Sequence, residues 1–249
     1  LDYAGWDALF SGWIDRGDPE ALLNASIFFD FRPLFGDAGL ANGLREEVVQ
    51  RAEHNGRFLK QMADNALRNR PPAGRGIVDS LFGEGGPARV DLKMHGTVPF
   101  VDAARIWALA AGLHETNTAD RLKRLGEAGR LPEVDVRAWV SSFEFFQLMR
   151  LRAQHRRAET YAGSGDNPNE IELAELSALD RRIVNEAFRQ ARCIAGAFQQ
   201  IHDDFRQRRF VRTVGAEDAA AAGREINHRV ASADSWCGHL AGPRHAAFP

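Results

Sequence analysis

Between Leu176 and Phe205 the apolar residues Leu176, Leu179, Ile183, Ala187, Ala191, Ile194, Phe198, Ile201 and Phe205 recur every three or four positions. That spacing draws one stripe along a helix of about eight turns, with charged residues on the opposite side. Ser177 and Asp180 form a capping box at its start. A helix so long and so one-sided leaves its stripe in water unless other helices cover it. The rest of the chain must therefore supply a bundle.

Further helical patterns meet that demand. Trp6, Leu9, Phe10, Trp13 and Ile14 make a first stripe, which the run from Asp15 to Pro19 ends. Asp37 is an N-cap candidate for a helix with Leu40, Leu44 and Val48 as its buried row, and Phe58, Leu59, Met62 and Ala66 make another. An apolar helix is predicted from about Pro99 to Leu113, with the proline in its first turn, where no amide partner is lost. Asn117 or Thr118 caps the next helix, with Asp120 in its first turn. Pro132 opens a long helix through about Ala158, burying Val136, Trp139, Val140, Phe143 and Phe146. Two short runs read as strands: Ser26 to Arg32, where Ile27, Phe29 and Phe31 alternate with Phe28, Asp30 and Arg32, and Val90 to Met94. The fold class is mainly α, an antiparallel helical bundle with one or two short strands.

Composition removes several classes of function. The chain has 249 residues, 44% of them hydrophobic, and 32 basic against 34 acidic residues give a net charge of -2. No global field draws it to nucleic acid or to an anionic membrane. No apolar run approaches the ~20 residues that span a bilayer. Cys193 and Cys237, the two cysteines, suit a reducing cytoplasm and make no disulfide framework. The first residue is Leu1, with a helix already under way, so the chain is expected to begin inside a longer protein. From Val211 the periodicity is lost, and 211–249 reads as a loosely ordered tail.

Several sites suggested by local spacing are weak. Gly74-Arg75-Gly76, in the Gly- and Pro-rich run 70–89, resembles an anion-binding nest but reads better as a solvated turn. Gly163-Ser164 is followed too soon by Glu170 and Glu172 to serve as the phosphate turn of a nucleotidyl transferase. Cys237, His239 and His245 lack a fourth metal ligand.

The charges beside the apolar helix are more informative. Asp91 and Lys93 share a face of the predicted strand, and Asp102 and Arg105 are i, i+3 neighbours on the helix. These four are expected to meet where strand joins helix, with Arg121 close enough to join them. One reading is a structural ion-pair cluster. The other is a binding cluster in which Lys93 and Arg105 hold the phosphates of a nucleotide, or an acidic loop of a protein acceptor.

The phrases "LLNASIFFDFRPLFGD" (22–37), "RPP" (70–72), "DLKMHGTVPFVDAARIWALAAGL" (91–113), "TNTADRL" (116–122), "LRAQ" (151–154), "DNPNEI" (166–171) and "LSALDRR" (176–182) run along most of the chain in one order. Together they resemble one bacterial family, the nucleotidyltransferase substrate-binding domain. "IFFDFRPLFGD" is also similar to the strand and turn that end the transferase domain of PII uridylyltransferases. The resemblance implies that residues 1–37 close a nucleotidyltransferase-like α/β domain and that 38–210 form the helical substrate-binding domain. It implies an upstream Gly-Ser turn and Asp-x-Asp pair, with CBS or cyclic-nucleotide-binding sensor modules further upstream. The expected role is to hold a protein or small-molecule acceptor for transfer from a nucleoside triphosphate, with Mg2+, in bacterial signal transduction. Asp91, Lys93, Asp102, Arg105 and Arg121 become candidate substrate-binding residues. Asp30 becomes a candidate catalytic carboxylate and metal ligand, against the plainer reading of an acid paired with Arg32. The alternative from another class is a non-enzymatic helical module coupled to upstream sensors, either regulatory or forming a homodimer.

Overall fold

The computed structural model describes residues 1–69, 89–160 and 167–206. Helix α1 (Tyr3–Arg16) starts at Asp2, whose carboxylate accepts from Gly5 N at 2.9 Å, and stops at Gly17 in the left-handed region, φ 62°. Helix α2 (Pro19–Phe28) follows at once. Asp18 accepts from Ala21 N at 2.8 Å, and Pro19 occupies the first helical position.

The predicted strand at Ser26 to Arg32 does not form, since α2 runs through Phe28 and a turn follows. The Asp18-Pro19 start commits the segment to helix, and Ala21, Leu22, Ala25 and Phe29 then bury one helical face. Ile27 is exposed, so the two-residue alternation was not a sign of burial. The Ser26 hydroxyl bonds back to the Leu22 carbonyl at 2.8 Å, which a helix permits.

Helix α3 (Ala38–Glu53) is capped by Asp37 as expected, with Leu44 and Val48 buried but Leu40 exposed. Helix α4 (Gly56–Ala66) is capped by Asn55 and buries Phe58, Leu59, Met62 and Ala63. Strand β1 (Arg89–Asp91) is shorter than the predicted 90–94 run. It pairs antiparallel with β2 (Glu170–Glu172), and Val90 opposite Ile171 gives the ribbon one buried pair. Sequence reasoning missed β2, because a three-residue strand with one buried side chain has no alternation to read. Residues Lys93–Thr97 form a π-helical turn that leads into α5 (Val98–Ala110). Helices α6 (Thr118–Glu127), α7 (Glu133–Thr160) and α8 (Ala178–Arg206) complete the order. The described residues are mostly helical with one two-stranded ribbon, so the mainly α class is observed.

Helix α5 lies in the middle and packs on α3, α4, α6 and α8. Its Phe100, Ala103, Ala104, Ile106, Trp107, Ala108 and Leu109 are all buried. Trp107 stacks on Trp139 of α7, centroids 5.8 Å apart, and meets the edge of Phe198 of α8. Phe146 packs on Phe100 at 6.4 Å and on Phe188 at 4.9 Å. All five apolar residues named for α7 are buried. On α8 the buried row includes Val184, Ala187, Phe188, Ala191, Ile194, Ala197 and Phe198, while Leu179 and Ile183 stay exposed. The stripe is rotated from its predicted centre because α8 packs on both α5 and α7. Helices α1 and α2 join the same core through Phe10, Trp13 and Phe29, the last 6.0 Å from Phe58.

Among the described residues no helix is long and apolar enough to cross a membrane. The Gly74–Gly76 turn, Gly163-Ser164, the Cys237, His239 and His245 group and the 211–249 tail lie outside the described residues.

Gly96 in the π-helical turn lies against the Phe146 ring, so tightly that a β-carbon there would approach it to 2.9 Å. Phe146 is fully buried and hemmed in by Phe100 and Phe188, and cannot yield freely. Gly96→Ala is expected to cost about 1–3 kcal/mol as an overpacking change. Urea unfolding of the two proteins measures it; equal midpoints would mean that the turn shifts without strain.

Candidate functional site

Asp30 stands in the turn after α2, and two arginines from distant helices converge on it. Arg105 Nη2 of α5 donates to Oδ2 at 2.7 Å, and Arg121 Nη2 of α6 donates to Oδ1 at 2.5 Å. Arg105 Nη1 also reaches Asp102 Oδ1 at 3.4 Å, one turn back on α5. Arg121 Nε donates to the Glu115 carbonyl at 2.7 Å. Arg45 of α3 donates to the Phe31 carbonyl and lies over the Phe31 ring, 4.6 Å from its centroid. The side chains of Arg105 and Arg121 are only 8% and 3% exposed, against 28% for Asp30. One carboxylate thus ties the α1–α2 pair to α5 and α6.

The electrostatics follow from this burial. For Asp30, burial raises the pKa, but Arg121 and Arg105 together outweigh it and hold the carboxyl below its ordinary value. Asp102 has the opposite outcome. Burial pushes its pKa up, with Asp30 adding to the rise and only Arg105 opposing it. Burial lowers the pKa of Arg121 while Asp30 supports its charged form.

Both oxygens of Asp30 are therefore engaged by guanidinium groups. Among the described residues no three His, Cys, Asp or Glu side chains come together to hold a metal ion. A divalent ion such as Mg2+ takes oxygen ligands and several waters. The donor set around Asp30 is cationic and does not fit one.

Asp91 and Lys93 are placed elsewhere. Asp91 Oδ1 accepts from Lys93 N at 2.7 Å and from Met94 N at 2.9 Å, so the carboxylate caps the π-helical turn. Its Oδ2 accepts from Asn167 Nδ2 at 2.7 Å. The Asp91 pKa is lowered, because these hydrogen bonds, with Met94 the largest of them, overcome a burial effect that alone would raise it. From Asn167 the network continues through Asn169, whose Oδ1 accepts from Arg150 Nε at 3.1 Å, Arg150 Nη2 at 3.0 Å and Gln154 Nε2 at 3.2 Å. Leu92 N donates to the Asn169 carbonyl at 3.0 Å. Lys93 itself points its side chain to solvent.

The expected four-charge meeting at the strand and helix junction thus separates into two clusters. Asp102, Arg105 and Arg121 gather on Asp30, while Asp91 and Lys93 sit at the end of the ribbon. The strand assumption was the cause of the error. Lys93 lies in a helical turn, so it no longer shares a strand face with Asp91, whose charge is used on backbone amides. Sequence reasoning also missed Arg45, Arg150, Asn167 and Asn169. For the last two there was a signal: "DLK", "LRAQ" and "DNPNEI" are far apart in sequence, and they converge on this corner, with Arg150 directly before the second phrase.

A family model described as "Putative nucleotidyltransferase substrate binding domain" matches residues 56–201. The match takes in α4 to α7, most of α8, both strands, Arg105, Arg121 and the whole corner network; Asp30 and Arg45 fall before it. No curated protein and no solved structure matches the chain.

Removing Asp30 strands two buried cations. Asp30→Ala is expected to lose about 3–5 kcal/mol of stability, the cost of breaking a buried pair from one side. Asp102→Asn is expected to be neutral or stabilising at pH 7, because Asp102 is more easily protonated in the fold than free. The pH signs differ accordingly. The depressed Asp30 contributes stability that is complete above the ordinary carboxylate pKa of about 3.9 and is lost as pH falls through its folded value. The raised Asp102 is a burden above its folded pKa, relieved on acidification. Urea unfolding at pH 7 and pH 3 should show the Asp30→Ala deficit shrinking at the lower pH; a deficit that stays constant would contradict an ionic origin.

Proposed function

Because the chain belongs to the family of putative nucleotidyltransferase substrate binding domains, we propose that it holds the acceptor for a nucleotidyl transfer whose phosphate turn and paired acids belong to a separate nucleotidyltransferase domain. The observation that carries this reading is the convergence of three family phrases on one solvent-facing corner, where Lys93 is exposed and Arg150 is held rigidly. Such transfer joins an acceptor nucleophile to the α-phosphorus of a nucleoside triphosphate and releases pyrophosphate, so positioning and charge stabilisation dominate its catalysis. Mg2+ bound with the triphosphate on that other domain would neutralise the developing charge. The residues of this chain bind and orient. Lys93 reaches out to the acceptor, and the Asn169, Gln147 and Thr97 oxygens fix Arg150 before the acceptor arrives.

In this reading Asp30, Asp102, Arg105 and Arg121 act behind the site. They lock the α1–α2 pair onto the bundle, and that sets the surface a catalytic domain would dock against. We extend the proposal to a bacterial signalling protein of the cytoplasm in which CBS or cyclic-nucleotide-binding modules govern the transfer. The phrases shared with the family support that extension.

The test is label transfer. The protein together with its nucleotidyltransferase domain is incubated with α-32P-labelled nucleoside triphosphates, Mg2+ and cell extract, and label is sought on protein and small molecules. Label should appear with the complete protein and not with residues 1–249 alone. Lys93→Ala should cut it roughly tenfold, the worth of one charge-assisted hydrogen bond, while leaving the unfolding midpoint unchanged. Transfer by residues 1–249 alone would refute an acceptor-holding role, and full activity in Lys93→Ala would remove the corner from acceptor binding.

A further inference from the structure

At the ribbon corner Arg150 is held by neutral groups. Arg150 gives Nε and Nη2 to Asn169 Oδ1, and Nη1 to Gln147 Oε1 at 2.7 Å and Thr97 Oγ1 at 3.5 Å. Every one of these acceptors is neutral. Among the described residues no carboxylate stands within ion-pair distance of Arg150 or of Lys93. Asp91 acts on Arg150 only from further away, and its oxygens already serve Lys93 N, Met94 N and Asn167 Nδ2. A guanidinium has five N–H groups, and the contacts among the described residues use four of them, which leaves one on Nη2.

Lys93 is connected to this cation through Thr97. Thr97 Oγ1, which receives from Arg150, itself donates to the Lys93 carbonyl at 3.1 Å. A single threonine hydroxyl therefore links the Lys93 carbonyl to the guanidinium, and the exposed Lys93 side chain leaves from the same turn. His95, in the same turn, is close enough to Asp91 to act on its charge. Asp91 and the cross-strand Glu170 lie at this end of the ribbon; the Asp91 oxygens are already committed, while the Lys93 side chain is exposed.

We propose that Lys93 and Arg150 form a recognition site for a phosphate group of the substrate. The proposal rests on the reading of the chain as a substrate-holding domain and names the chemical class held. The geometry favours phosphate over carboxylate. A carboxylate docks best on the planar Nε and Nη2 edge of an arginine, and Asn169 already occupies that edge. What remains is one Nη2–H and a mobile ammonium set apart from it. A tetrahedral dianion can accept from both at once, with terminal oxygens pointing in different directions. The neutral cradle also keeps Arg150 charged and aimed without an internal anion that the ligand would have to displace.

The experiment is a nitrogen-15 NMR titration of the 249-residue chain with inorganic phosphate, pyrophosphate and acetate at constant ionic strength. Phosphate and pyrophosphate should shift the Arg150 Nε–H and Lys93 amide signals saturably, pyrophosphate at lower concentration, and acetate should not. Lys93→Gln and Arg150→Lys should each weaken pyrophosphate about tenfold. Lys93 is exposed, so its variant should keep the wild-type unfolding midpoint, which keeps the test meaningful even if Arg150→Lys loosens the ribbon. Absence of saturable shifts, unchanged affinity in Lys93→Gln, or acetate binding as well as phosphate would each overturn the site. Pyrophosphate bound at Lys93 and Arg150 in a protein that transfers no label would support the site and count against the transferase reading alone. Label transfer that depends on Lys93 without any phosphate binding would do the reverse.

Discussion

Helix α5 is buried on nearly every side, and that burial governs what surrounds it. A helix without a wet face needs apolar partners all round, and α3, α4, α6 and α8 provide them. Yet α5 also carries Arg105, whose guanidinium is almost inaccessible. A charge in that position requires a counter-charge brought in from outside the helix. Asp102 gives a weak local contact, and Asp30, from the turn after α2, gives the strong one. The buried cation thereby dictates where the N-terminal helices must sit.

Arg121 strengthens the same point from α6, and the result is a closed cluster. Each oxygen of its carboxylate accepts from one guanidinium, and both arginines are nearly shut off from water. Such a cluster specifies how helices dock and leaves little room for chemistry. The corner at the end of the β1–β2 ribbon differs in each respect. Its arginine is held by neutral oxygens, its lysine is exposed, and its Asp91 carboxylate caps a helical turn. Both clusters draw on charges that look alike in sequence. Their different surroundings leave them with different partners.

The family match from 56 to 201 starts after Asp30 and Arg45, so the latch joins residues on both sides of the matched boundary. Within the match, the π-helical turn at 93–97 couples the two regions. It ends the ribbon, carries Lys93 at its exposed start, places Gly96 against Phe146 and leads without a break into α5. Movement at the corner would therefore be felt in α5 and at Phe146.

Most helices and their starts were legible in the sequence, because the signals are local. Asp37, Asn117 and the Ser177 to Asp180 box cap amides within three residues, and the rows Val136 to Phe146 and Phe58 to Met62 repeat within one turn. Where local patterns competed, the sequence misled. The alternation in "SIFFDFRP" is strand-like, but Asp18 and Pro19 had already started a helix. The affinity for a family was also legible, since it resides in residue identities. What only the tertiary structure decided was which charges meet. Asp30 and Arg121 are 91 positions apart and Asp91 and Asn167 are 76 apart, far beyond the few residues over which a helix or turn fixes geometry. Such pairings depend on how whole helices pack, and the same Asp and Arg side chains serve equally well in many of them until the core has chosen one.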